Sequence, residues 1–98
     1  MKKIFAIVKH PGEKIGHIME IDNTVEGFQE VVGGHFETVT LAEDLVIICD
    51  EDGRFKDYPN NCKVLGVDFV GTIMAVGAKG DEFTDCPLGL NTWEAICQ

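Results

Sequence analysis

Four cysteines, three histidines and 17 acidic residues are the side chains here that could carry chemistry. The chain contains no serine, which removes serine nucleophiles. Its cysteines stand at 49, 62, 86 and 97, and no two have the short spacing of a zinc knuckle or a redox dithiol. A Cys–His dyad needs an exposed thiol beside a base. Only Cys62, followed by Lys63, lies in a loop with a basic neighbour. His10, His17 and His35 fall on strands or strand ends and could ligate a metal only if strands gathered them. Asp50-Glu51-Asp52 lacks the alternating spacing of a calcium loop, and consecutive acids entering a tight turn diverge. No catalytic residue, metal ligand or cofactor is assigned on these grounds.

The binding candidates are Glu51, Arg54, Tyr58 and Asn61. Arg54 is the only arginine, so a bidentate grip on an anion must use it. Asn61 follows a Pro-Asn pair, where asparagine commonly bonds its own backbone to hold a turn. The alternative has Glu51, Tyr58 and Asn61 facing one cleft around a small ligand. Gly33-Gly34 invites a phosphate-loop reading, but these glycines follow a helix. The end of a helix is negative, and phosphate loops precede helices. Better anion candidates are the amides after Asn23 or Asn91, helped by Arg54, Lys56 or Lys63.

The elements that must position these residues follow from periodicity. Lys3 to Lys9 is a β-rich run, Pro11-Gly12 turns the chain, and residues 15–21 alternate as a second strand that could pair with the first. Asn23 is the expected N-cap of a short helix, with Glu26 three residues on. Val25, Phe28, Val31 and Val32 form its apolar face, and Gly33 or Gly34 ends it. Phe36 to Leu41 is β-prone, and Leu45 to Cys49 is apolar on both faces, as a central strand would be. Asp52-Gly53 suits a tight hairpin turn, with Phe55-Lys56 as a short return broken at Tyr58-Pro59. Val67 to Val76 is expected as one long central strand. Ala78 to Asp81 turns, and Asn91 caps a last helix carrying Trp93, Ile96 and Cys97. The order β-β-α-β-β-β-α predicts an α+β fold: one domain, residues 1–98, with a mainly antiparallel sheet.

Size and charge bound the function. Ninety-eight residues at 45% apolar composition can close a core without staples. The longest apolar run is far too short for a bilayer, so no membrane association is expected. The start Met1-Lys2-Lys3-Ile4-Phe5 faintly resembles a secretory leader, but Lys9-His10-Pro11-Gly12 cuts its apolar run short. A net charge of −9 repels phosphate backbones, which argues against direct nucleic-acid binding. Mimicry of DNA charge would want a dense acidic stripe. The acids are instead spread evenly, eight up to Asp44 and nine from Asp50 on. Reduced thiols fit a cytoplasmic setting.

Five segments carry a resemblance: Glu20-Ile21-Asp22-Asn23-Thr24-Val25-Glu26, Val32-Gly33-Gly34, Cys49-Asp50-Glu51-Asp52-Gly53, Tyr58-Pro59-Asn60-Asn61 and Gly71-Thr72. In order and spacing, over roughly residues 4 to 85, the chain resembles a small uncharacterised domain family of phages and mobile elements of Gram-positive bacteria. Tyr58 stands where that family usually has leucine, and Cys62 where a basic residue is common. The resemblance implies a phage or mobile-element origin and a cytosolic setting, and it supplies no catalytic residue. The expected function is a non-enzymatic cytosolic binding module, sequestering a small nucleotide-like ligand in a pocket between protomers. The alternative is an acidic protein that binds and inhibits a host protein, one that processes nucleic acid or serves in defence. A third reading is an enzyme using acids near Glu51 or Asp68. A homo-oligomer would cover strand edges, and the sequence leaves that open.

Overall fold

Alternating apolar residues make the two outer layers of this fold inevitable once the strands pair. The computed structural model describes residues 2–98. Met1, which opens the stretch weighed as a leader, lies outside the described residues. In chain order the elements are β1 (Lys3–Lys9), β2 (His17–Asp22), α1 (Val25–Val32), β3 (Phe36–Ala42), β4 (Leu45–Asp50), β5 (Asn60–Val64), β6 (Val67–Val70), β7 (Ile73–Lys79), β8 (Glu82–Thr84) and α2 (Leu90–Ile96). The main sheet runs β2-β1-β7-β4-β3, with β8 added on β7, and β5-β6 form a second sheet. Every pairing is antiparallel. The domain is α+β, as expected.

Side chains alternate across β1, β4 and β7, and so supply two cores. Ile4, Ala6, Val8, Val46, Ile48, Met74 and Val76 meet Phe28 and Val32 of α1 on one face. Ile7, Ile47, Ile73 and Ala75 meet Val64, Phe69 and Trp93 on the other, beneath β5-β6 and α2. Trp93 is fully buried, and its indole N–H donates to the Ile15 carbonyl at 2.8 Å. That bond ties α2 to the loop between β1 and β2. The C-terminal end is stitched to β5 by a reciprocal pair of bonds between Lys63 and Gln98, each 2.7 Å. Among the described residues no helix is long and apolar enough to cross a membrane.

Several expected boundaries move. Among the described residues eight strands stand where five were expected. The run from Val67 to Val76 is two strands in two sheets, broken at Gly71, whose φ of +69° no β-branched residue would accept. Phe55-Lys56 forms no return strand; residues 51–57 are a wide turn, and Asn60-Asn61 open β5 instead. Thr24, not Asn23, caps α1: its Oγ1 accepts from the Gly27 amide at 2.9 Å. The Asn23 side chain instead donates to the Phe83 carbonyl, tying the helix start to β8. Gly33 ends α1 with φ +90°, as expected of a left-handed cap. Asn91 lies inside α2, whose N-cap is Gly89 without a side-chain bond.

Candidate functional site

Four of the five resemblance segments meet at one end of the main sheet, and Asp50 is where they join. It ends β4 with its side chain 1% exposed. Its carboxylate accepts from Lys56 Nζ at 2.8 Å, Tyr58 Oη at 3.2 Å and the Asp52 amide at 2.8 Å. Burial alone would push this carboxyl up; the Lys56 ammonium, the Asp52 amide and the Tyr58 hydroxyl outweigh it, so it sits below the usual aspartate value. Lys56 is shifted up by the same bond. The turn of residues 51–57 is therefore closed by an ion pair at its base. Gly34 leaves room for that pair, since a Cβ there would meet Lys56 Nζ at 2.5 Å. Gly71 leaves room for the Tyr58 ring, since a Cβ there would meet Cδ2, also at 2.5 Å.

Asn61 holds the structure together at the same end. Its Nδ2 donates to the carbonyls of Lys9 and Gly71, and its Oδ1 accepts from Lys9 Nζ, all at 2.7 Å. The side chain bonds distant backbone rather than its own turn. Lys9 is only 3% exposed, so the end of β1, the start of β5 and the β6-β7 break share one buried knot.

Glu51, Tyr58 and Asn61 do not share a cleft. Tyr58 faces a shallow groove with Pro11, Gly33 and Thr72. Arg54 reaches across to β6, where Nη2 donates to the Asp68 carbonyl at 3.3 Å, and it borders a second groove with Asn61 and Lys63. Glu51 and Arg54 do come together, on a groove of about 480 Å³ between the β3-β4 edge and β6. Its apolar lining includes Val39, Val67, Phe69 and Val70, and its acids are Glu37, Asp50, Glu51 and Asp68. Arg54 is the one cation in that lining. Phe55 stands on the rim, 91% exposed, where an apolar ring gains nothing from water.

Cys49, Cys62 and Cys86 are poor nucleophiles. Burial, and then the Glu37 carboxylate, push Cys49 up to about 12, and its Sγ donates to Glu37 Oε1 at 3.8 Å. Burial and the neighbouring Cys97 push Cys62 up to about 12, and burial raises Cys86. Among the described residues no group of three or more His, Cys, Asp or Glu is arranged to hold a metal ion. Two of the anion candidates are spent: the Gly27 amide, after Asn23, is taken by Thr24, and Lys56 by Asp50.

Sequence reasoning missed Lys9 and Phe55, and it named Lys56 only as an aid to an anion, not as the partner of Asp50. Lys9 closes an apolar run and Lys56 lies six residues after Asp50, but only folding shows that each has a buried partner. A family model described as a domain of unknown function, DUF3846, matches residues 1–93. No curated protein and no solved structure matches the chain.

Proposed function

The chain belongs to the DUF3846 family of domains of unknown function, and from that premise we propose that it is a binding module that takes a cationic segment of a partner protein. The observation that carries this reading is the acid-lined groove with Phe55 on its rim. With Asp50 already paired to Lys56, the three remaining carboxylates, Glu37, Glu51 and Asp68, against one guanidinium favour a lysine or arginine side chain, and the apolar floor favours an uncharged neighbour beside it. The net charge of −9 would steer such a partner from a distance. A phage or mobile-element origin and a cytoplasmic setting, which the motif resemblance implies, make a host protein the fitting class of partner. A nucleotide-like ligand fits this groove less well, because its phosphates would meet the same acids.

Affinity capture from host lysate tests the reading, with Glu51→Lys, Asp68→Lys and Phe55→Ala run beside the parent chain. A partner retained at low salt, released as salt rises and lost from all three variants is expected. Equal capture by parent and variants would move the site elsewhere. Calorimetric heat with a cyclic nucleotide or an ADP-ribose derivative, and no protein partner, would restore the small-ligand reading.

A further inference from the structure

The loop joining β1 and β2 brings together two of the three histidines. His17 pairs with Val8 across the hairpin, and His10 lies two residues beyond Val8, on the same face. Gly16, at φ +98°, lets the chain pass close over Val8: a Cβ there would stand 2.6 Å from the Val8 carbonyl oxygen. Glu13 folds back inside the loop. Its Oε1 accepts from the His10 amide at 2.7 Å, and its Oε2 meets His17 Nδ1 at 3.3 Å. His10 Nδ1 meets Thr72 Oγ1 at 2.9 Å. The two rings are tilted by 36°, with centres 5.8 Å apart. His35 is elsewhere, beside Gln29.

We propose that His10 and His17 form a two-imidazole site for a divalent transition cation of the zinc, nickel and copper class. The argument is geometric. With metal–nitrogen bonds of about 2.1 Å and about 1 Å more to each ring centre, two imidazoles on one ion have centres about 5 Å apart at a tetrahedral angle and about 6 Å apart when opposed. The observed 5.8 Å lies between the two, at a nitrogen–metal–nitrogen angle of about 140°, and a small rotation of either ring closes it toward tetrahedral. Both Nδ1 atoms already have oxygen partners, which leaves each Nε2 as the ligating atom. A carboxylate on the far nitrogen of a ligating histidine fixes the orientation of the ring, and Glu13 stands in that place for His17. Imidazole nitrogen selects this class of cation over calcium or magnesium. Two protein ligands are fewer than a closed structural site uses, so water fills the remaining positions and the ion stays exchangeable. His10 also borders a groove of about 380 Å³ between β2 and α1, so the open positions have access to solvent.

Titration calorimetry of nickel(II) into the full-length reduced chain is the test, with far-UV circular dichroism confirming that each variant folds. One ion per chain is expected. His10→Ala and His17→Ala should each abolish it, and Glu13→Gln should weaken it by about 10- to 100-fold. Paramagnetic broadening in amide NMR spectra should be confined to the β1-β2 loop and the neighbourhood of Thr72. Absence of saturable binding overturns the proposal. Binding that survives in the His10→Ala/His17→Ala double variant overturns it as well, because the ion would then be held by cysteines or carboxylates elsewhere.

Discussion

Asp50 shows at the scale of one residue how this chain holds its motif-rich end. A carboxylate with almost no access to water is stable there only because three donors converge on it. Asp50→Ala strands the Tyr58 hydroxyl and the Asp52 amide and should cost about 1–3 kcal/mol in urea unfolding at neutral pH. The folded-state pKa of Asp50 is depressed. Its contribution is therefore complete above the unfolded aspartate value, about pH 4, and is lost as pH falls through the lower folded value. Unfolding free energies of parent and Asp50→Ala should converge as pH is lowered through that window. A gap that stays constant into acid would mean that the carboxylate charge contributes nothing.

Element ends depend on close approaches that propensity does not describe. Gly27 sits in α1, where replacing glycine by alanine in an exposed helix gains up to about 1 kcal/mol. Here a Cβ would lie 2.4 Å from the Asp22 carbonyl oxygen, so Gly27→Ala should destabilise the fold. A rise in melting temperature for Gly27→Ala would contradict the packing of α1 against the end of β2. Gly71 divides β6 from β7 with a left-handed φ and the Tyr58 ring against it. Gly71→Ala should lower stability by about 1–3 kcal/mol in thermal unfolding. The further loss caused by Gly71→Ala should be smaller when it is measured in a Tyr58→Ala background, because the ring clash is gone and only the backbone strain remains. The break at Gly71 was invisible to periodicity because both faces of Val67 to Val76 are largely apolar. That pattern fits one central strand as well as two strands buried in different sheets.

Across the whole molecule, stability should grade from the middle of the sheet outward. β1, β7 and β4 are adjacent and carry apolar side chains into both cores, whereas residues 51–57 form no strand pairs. Native-state hydrogen exchange should find the slowest amides in β1, β4 and β7 and the fastest within the 51–57 turn. Protection in that turn equal to the central strands would show that the Asp50–Lys56 pair locks it as firmly as the core. The edges β2 and β3 flank this gradient, and the acid-lined groove lies along the β3-β4 side. Charge acts at this scale too, since the field of 17 acids against 8 bases is a property of the assembled surface.

Local periodicity and backbone preference were enough to read the class of fold, the first four strands, the first helix and its glycine stop from the chain. The sequence also named Glu51 and Arg54 as candidates, but placed Glu51 in a cleft with Tyr58 and Asn61 rather than in the groove it shares with Arg54. Only the tertiary structure decided that Asn61 clips β1 to Gly71, that Thr24 takes the cap while Asn23 bonds Phe83, and that Lys9 is buried. The same holds for the meeting of His10 with His17 and of Asp50 with Gly34, Lys56 and Tyr58. A polar side chain binds whichever partner the packed strands bring within about 3 Å, and apart from the local partners of Thr24 and Asp50 those partners are set by strand pairing rather than by neighbouring sequence.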